Sequence, residues 1–302
     1  MNETLAVISV IIVNYNSGRL LRNCIDSLLS ASLAVEIIVV DNASSDGSLD
    51  NLSQLPAVQI IKNLTNKGFS AACNKGLHAS SAPFLLFLNP DCYFETDALK
   101  ILLSIFGADS SKQIGMAGPF LANSDGSEQG GGRRTVPTPW RSFVRAFGLA
   151  RFSNRWPRLF SDFYLLNQPL PTEAVEVEAI SGACMLVKRE AMQDVGEWDE
   201  GYFLHCEDLD MCMRFRKRGW KILFVPTARV THFHGACSRS RPIFVLWHKH
   251  KGMMRFYHKF FRHQYPGVLM ILVTIGVWVR FSGVATAILL KRAAQALRIK
   301  LV

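Results

Sequence analysis

Four short apolar runs punctuate the first third of the chain, at residues 7–13, 35–40, 58–61 and 84–88. Each is rich in β-branched or large aliphatic residues and is bounded by Asn, Asp, Ser, Gly or Pro, the pattern of strands buried on both faces. Between them lie amphipathic stretches of helical length. Residues 18–31 place Leu20, Leu21, Cys24, Ile25, Leu28 and Leu29 on one face, and residues 68–80 form a second such stretch. Strand and helix in alternation predict a doubly wound, mostly parallel α/β sheet.

The pattern then changes. Residues 122–172 carry a Gly130-Gly131-Gly132-Arg133-Arg134 run, five prolines and scattered Trp and Phe, which reads as a long loop with some helix whose aromatics need a packing surface. Order returns with a strand near 177–187, a helix over about 207–218 and a strand near 221–225. Residues 241–264 interleave Trp247, Phe256, Tyr257, Phe260 and Phe261 with Lys249, Lys251, Arg255, Lys259 and Arg262. Residues 267–290 contain one charge, Arg280. The uninterrupted apolar part ends before Arg280, short of the ~20 residues a bilayer span needs, so a re-entrant or interfacial attachment is expected over a span or a core helix. The expected division is a catalytic domain at 1–240, with a ligand-binding half at 1–120 and an acceptor half at 121–240, and a membrane-attachment region at 241–302.

Charge sharpens this division. The net charge of +10 hides 18 Lys and Arg with no Asp or Glu from residue 211 onward, against 16 basic and 24 acidic residues before it. An acidic body with a basic tail calls for an anionic partner. Nucleic acid is not expected, because it has no use for the apolar stretch that the cations flank; an anionic membrane surface is. The seven cysteines form no C-x-x-C pair and suggest a reducing compartment, and the N-terminus lacks the basic start of a signal peptide.

In open α/β sheets ligands bind beyond the carboxyl ends of the strands. The residues there are Asn14-Tyr15-Asn16, Asp41-Asn42, Asn63 and Asn89-Pro90-Asp91. Any one of these could simply end a strand; the set suggests a site. No G-x-G-x-x-G follows the first strand and no P-loop G-K-[ST] occurs, which argues against the usual NAD and ATP sites. Strand-end carboxylates at Asp41 and Asp91, with Glu207-Asp208-Leu209-Asp210 opening a helix, suit a hard divalent cation facing a diphosphate.

The segments Ser9-Val10-Ile11-Ile12-Val13-Asn14-Tyr15-Asn16, Val40-Asp41-Asn42-Ala43-Ser44-Ser45-Asp46-Gly47, Asn66-Lys67-Gly68-Phe69, Asn89-Pro90-Asp91 and Trp198-Asp199-Glu200 through Glu207-Asp208-Leu209-Asp210 together resemble family 2 glycosyltransferases. Within that family they resemble the rhamnosyltransferase-type branch of bacterial cell-surface polysaccharide assembly, over about residues 5–238. The resemblance implies a GT-A fold, a nucleotide-sugar donor, a divalent cation (Mg²⁺ or Mn²⁺) and inversion at the anomeric carbon. It assigns Asn14, Asn16, Asp41, Asn42, Asn66, Gly68, Phe69, Asn89 and Asp91 to the donor, with Asp41 on the base. Asp91 and His232 become the metal ligands, with His234 a competitor. The family's D-x-D reads Asn89-Pro90-Asp91 here, so one carboxylate of the usual two is missing.

Asp208 matches the catalytic base: one-step inversion needs a single carboxylate to take the acceptor's proton, and no second one as nucleophile. Glu207 and Asp210 are its neighbours and alternatives, and all three also suit a helix N-terminus. Arg133 and Arg134 are candidates for the acceptor's phosphates or form a solvated pair. The expected activity is transfer of a sugar, rhamnose from dTDP-rhamnose, to a polyprenyl-diphosphate-linked saccharide at the cytoplasmic face of the bacterial inner membrane. The alternatives are another donor such as a UDP-sugar, or a catalytically weak sugar-binding relative.

Overall fold

The structure, a computed structural model, describes residues 7–31, 33–107, 113–233, 235 and 241–300, with side chains through residue 295. The chain opens with β1 (Ile8–Asn14), α1 (Arg19–Leu29), β2 (Val35–Asp41), β3 (Val58–Lys62), α2 (Phe69–His78) and β4 (Phe84–Leu88). All four predicted strands and both helices form, within a few residues of their expected ends. β5 (Cys92–Phe94), α3 (Ala98–Gly107) and β6 (Ile114–Ala122) follow, then β7 (Arg133–Arg134), α4 (Pro139–Ala146) and α5 (Pro157–Phe160). The remainder comprises β8 (Val175–Glu176), β9 (Ala179–Ile180), β10 (Cys184–Lys188), α6 (Arg189–Val195), α7 (Glu207–Lys217), β11 (Lys221–His232), α8 (Pro242–Phe261) and α9 (Gly267–Lys300).

Nine strands form one sheet in the order β3-β2-β1-β4-β10-β6-β11-β5, with β8 on β11. β1, β2, β3, β4, β6 and β11 run the same way, while β10, β5 and β8 are antiparallel to their neighbours. The sheet is therefore mostly parallel, as expected. Side chains alternate across it: Val10 and Ile12 of β1 enter a core with α1 and α3, whereas Ile11 and Val13 enter the opposite core with α2, α7 and α8. Both faces are covered, which is why these strands read as continuous apolar runs.

The predicted strand at 177–187 is two elements: β9 pairs with β7 in a small separate sheet, and β10 lies in the main one. Ser181 and Gly182 make the break. β11 runs past the expected end at 225 because a register shift between Val225 and Arg229 carries it on to His232. The aromatics of 122–172 pack largely on one another, as in Trp140–Phe143 and Trp156–Phe160, with Trp140, Phe143, Phe147 and Trp156 left exposed.

The basic, aromatic segment is less of an appendage than its composition suggested. Phe256, Tyr257, Phe260 and Phe261 of α8 are buried in the same core as β1 and α7. Arg255 and Lys259 pair with Asp199 at 2.7 Å, and Lys259 also meets buried Asp210 at 2.6 Å. α8 therefore packs into the same core as the sheet. α9 is one unbroken helix of 34 residues, about 50 Å long. No re-entrant turn forms within it, and by length and composition it could cross a membrane. Its Met270 and Val277 are buried, while Leu269, Ile271, Leu272, Ile275 and Val279 stay exposed.

Candidate active site

A cleft of about 2130 Å³ opens over the carboxyl ends of β1, β2 and β4. That exceeds the few hundred to ~1,000 Å³ of a one-ligand site, so there is room for two substrates. Val13, Tyr15, Asn42, Asn66, Gly68, Phe69, Asn89 and Asp91 line it, together with Arg134, Gly182, Asp208 and His232. α8 and α9 extend the wall with Lys249, Leu272 and Arg280. Gly68 is required at its place. Its φ is 87°, and a Cβ there would stand 2.6 Å from the Phe203 carbonyl oxygen, where α2 docks through Phe69 N at 2.8 Å.

Asp91 and His232 meet at the cleft floor, brought there by the β4 end and the extended β11. His232 Nε2 lies 3.1 Å from Asp91 Oδ1, and both side chains are buried. Gln129 settles the tautomer. Its Nε2 donates to Asn123 Oδ1 (3.1 Å) and to the His232 carbonyl (3.2 Å), which points its Oε1 at His232 Nδ1 (2.6 Å). Nδ1 is therefore the N–H, and Nε2 faces the Asp91 carboxylate and Asn89 Nδ2 (3.4 Å). Imidazole nitrogen and carboxylate oxygen so disposed need a proton or a shared cation between them. A histidine held by its other nitrogen is also how metal-bound histidines are oriented.

Asp91, Cys92 and His232 offer ligand atoms within 4.8 Å of one another. Cys92 is the poor member. Burial pushes its thiol well above its ordinary range, and it donates to the Ala183 carbonyl at 3.3 Å. The remaining oxygen and nitrogen donors suit Mg²⁺ or Mn²⁺.

Asp208 sits in the first turn of α7, half-open to the cleft. Arg134 Nη2 and Gly182 N (3.1 Å) donate to its Oδ2, and Leu209 N donates to Oδ1 (2.8 Å). Gly182 permits this seat, since a Cβ would stand 3.0 Å from that of Asp208. Oδ1 keeps lone-pair capacity for an acceptor hydroxyl. Its neighbours differ. Glu207 is buried, and burial followed by the nearby Asp208 charge pushes its carboxyl up to about 8, so it is mainly neutral at pH 7. Asp210 is fully buried and bound to Arg214 at 2.7 Å and to Lys259. Of the three acids, Asp208 alone combines cleft access with anchored oxygens.

Four expected ligand contacts do not lie on this cleft. Asn14 is buried behind it, donating to Asp41 Oδ1 (2.8 Å) and Ser48 Oγ (2.8 Å) and accepting from Ser17. Asp41 is likewise buried, its second oxygen taken by Ser44 N (3.1 Å), so Asn42 is the cleft-facing residue at that strand end. Asn16 holds the loop at Ser44 and Ser45. Arg133 turns into the body, bidentate to Glu128 and bonded to the carbonyls of Gln168 and Pro169. Arg134 instead lines the cleft, as an ion-pair partner of Asp208. His234 lies outside the described residues. Gln129 escaped the sequence reading because a lone Gln before a glycine run carries no local signal.

The fold is a mostly parallel α/β sheet with a polar cleft over the carboxyl ends of its strands. The profile described as "Glycosyl transferase family 2" matches residues 9–196, and "Glycosyl transferase family group 2" matches 129–291. The N-acetylglucosaminyl-diphospho-decaprenol L-rhamnosyltransferase of Mycobacterium tuberculosis is 31% identical over 249 residues, covering 78% of each chain. Rhamnosyltransferase WbbL of Escherichia coli K12 is 26% identical over 52% of this chain and 54% of its own. The solved mannosyltransferase PcManGT of Pyrobaculum calidifontis, in complex with GDP-Man and Mn²⁺, superposes with a TM-score of 0.57 at 16% identity, over 97% of this chain and 81% of that one. The chain belongs to glycosyltransferase family 2 and has the GT-A fold; it is a glycosyltransferase.

Proposed function

We propose that the protein transfers rhamnose from dTDP-rhamnose, with inversion, to a sugar carried on a polyprenyl diphosphate at the cytoplasmic face of the bacterial inner membrane, as a peripheral or monotopic enzyme. The carrying observation is the pairing, in one cleft, of a cation-ready Asp91–His232 site with one accessible, anchored carboxylate at Asp208. The similarity to the mycobacterial rhamnosyltransferase supports the choice of sugar and acceptor.

Asp208 Oδ1 accepts the proton of the acceptor hydroxyl as that oxygen forms a bond to the anomeric carbon. The bond from that carbon to the β-phosphate oxygen breaks, and the electron pair leaves with the nucleoside diphosphate. Arg134 and the Gly182 N–H hold the base in place. Asp91 and His232 would hold Mg²⁺ or Mn²⁺, which when bound neutralises charge on the leaving diphosphate. Asn42, Asn66, Gly68 and Phe69 form the wall against the nucleoside.

The test is turnover of dTDP-rhamnose with a lipid-diphosphate acceptor, with and without chelator. Asp208→Asn is expected to lose about 10²–10⁴-fold in rate while still binding donor, and EDTA is expected to stop turnover. Full activity of Asp208→Asn rejects the base, and selective turnover of UDP- or GDP-sugars rejects the donor.

A further inference from the structure

Three cations that line the cleft, Arg241, Lys249 and Arg280, pair with no carboxylate among the described residues, and the last two stand on packed helices. Lys249 of α8 and Arg280 of α9 both line it and both keep solvent access within it. The carboxylates lining the same cleft are Asp91, Asp162, Glu207 and Asp208. Asp162 pairs with Arg145 and Asp208 with Arg134, and among the described residues no acid pairs with Lys249 or Arg280. Lys249 has no hydrogen-bond partner for Nζ among the described residues.

Arg280 is held in position rather than trailing in solvent. His250 Nδ1 donates to the Leu246 carbonyl at 2.8 Å, so its Nε2 is an acceptor, and Arg280 Nη1 approaches that nitrogen at 3.4 Å. Trp247 packs on Trp278 and Phe281, and His250 on Phe281, which locks α9 against α8 on either side of Arg280. Burial, then the backbone bond in the opposite sense, then the Arg280 and Lys249 charges, leave the His250 imidazole below its usual range, which keeps it neutral and accepting. Burial by surrounding protein lowers the Lys249 ammonium; the Cys206 side chain opposes this, and the Arg280, Arg134 and Arg145 charges add to it. Cations that repel one another in a common wall are relieved by an anion.

The same cleft has an apolar wall, with Leu269, Leu272, Val273 and Val277 of α9. It therefore combines the Asp91–His232 pair, the Asp208 carboxylate, the unpaired Lys249 and Arg280 and an aliphatic strip. We propose that Lys249 and Arg280 are the diphosphate-binding residues for the acceptor, with its isoprenoid chain along Leu269, Leu272, Val273 and Val277 and its sugar hydroxyl at Asp208. The proposal rests on the lipid-linked acceptor reading given above. It also explains the one charge within the apolar stretch 267–290 of α9: the charge faces a substrate.

The experiment measures binding of a polyprenyl diphosphate, the matching polyprenol and inorganic pyrophosphate to the full-length protein in neutral detergent. The wild type is compared with Lys249→Gln, Arg280→Gln and the double variant. Each single variant is expected to weaken polyprenyl diphosphate binding about tenfold, as for loss of a charge-assisted contact, with donor affinity and polyprenol binding unchanged. Lys249→Arg retains affinity, and Lys251→Gln, outside the cleft, is silent. Unchanged affinity in the double variant overturns the site. Wild-type protein that binds no polyprenyl diphosphate overturns the lipid-linked acceptor reading itself. Pyrophosphate binding as tight as the lipid overturns the isoprenoid part. Parallel loss of binding to anionic phosphatidylglycerol vesicles assigns the cations to the membrane surface instead and also overturns the site.

Discussion

Glu207 and Asp208 are adjacent carboxyl groups with opposite surroundings. Asp208 is anchored by Arg134 and two backbone N–H groups, whereas Glu207 is buried with no hydrogen-bond partner for Oε2 among the described residues. Burial makes ionisation of Glu207 costly, and the neighbouring charge adds to that cost. Its folded value of about 8 lies above the ordinary 4.5, so between these the folded state holds a proton that the unfolded chain has lost. Stability is therefore greatest below the ordinary value and falls as pH rises through about 8. Glu207→Gln removes this slope. Melting temperatures of variant and wild type are expected to converge near about pH 5 and to separate in favour of the variant at about pH 9; parallel profiles contradict it. Asp208 was legible from its motif, but the neutrality of its neighbour was not, because burial is absent from a linear pattern.

Among the elements, α8 changes most in meaning. Its cations suggested a membrane-facing surface, yet Arg255 and Lys259 reach Asp199, and Lys259 also reaches Asp210 at the start of α7. The Asp199 carboxyl is held down to about 2 against a burial effect that would raise it, through hydrogen bonds from Arg255 and Lys259. These pairs dock α8 against the start of α7 and so set where Lys249 stands. Asp199→Asn is expected to cost about 1–3 kcal/mol in urea unfolding, with Arg255→Gln adding less than its own single effect because the two share one interaction. Strict additivity breaks the assignment. β6 and α3 went unpredicted: Gly115, Gly118 and Pro119 break up the apolar pattern of β6, although Gly118 is where Ile180 packs, with a Cβ position 2.7 Å from its Cδ1.

At the scale of the whole molecule, Leu269, Leu272 and Val279 of α9 and Trp140, Phe143 and Phe147 of the segment around α4 are exposed and line the same cleft, and Ile271 and Ile275 of α9 are exposed as well. An apolar face of this extent is suited to lipid, and it would bring the acceptor site to the carrier. Replacing Ile271 and Ile275 with Asp leaves the α8 contacts of Met270 and Val277 in place. The double variant is expected to shift the protein from vesicle pellet to supernatant in flotation or sedimentation while keeping its donor affinity. Retained membrane partitioning shows that this face is not the attachment.

The alternation of apolar runs and turn residues by itself determined the leading strands and helices, because strands buried on both faces leave continuous β-branched patterns that survive in one dimension. The order of its motifs likewise placed Asp91, Asp208 and His232 at one site. Only the tertiary structure decided which polar residues face the ligand. Asn14, Asp41 and Arg133 have the composition of site residues but spend their hydrogen bonds on Ser48, Ser44 and Glu128. Gln129, Lys249 and Arg280 have no motif, and reach the cleft through a β-bulge that extends β11 and the packing of α9 on α8. Partner choice among polar groups depends on contacts between residues far apart in the chain, and those distances exist only once it has folded.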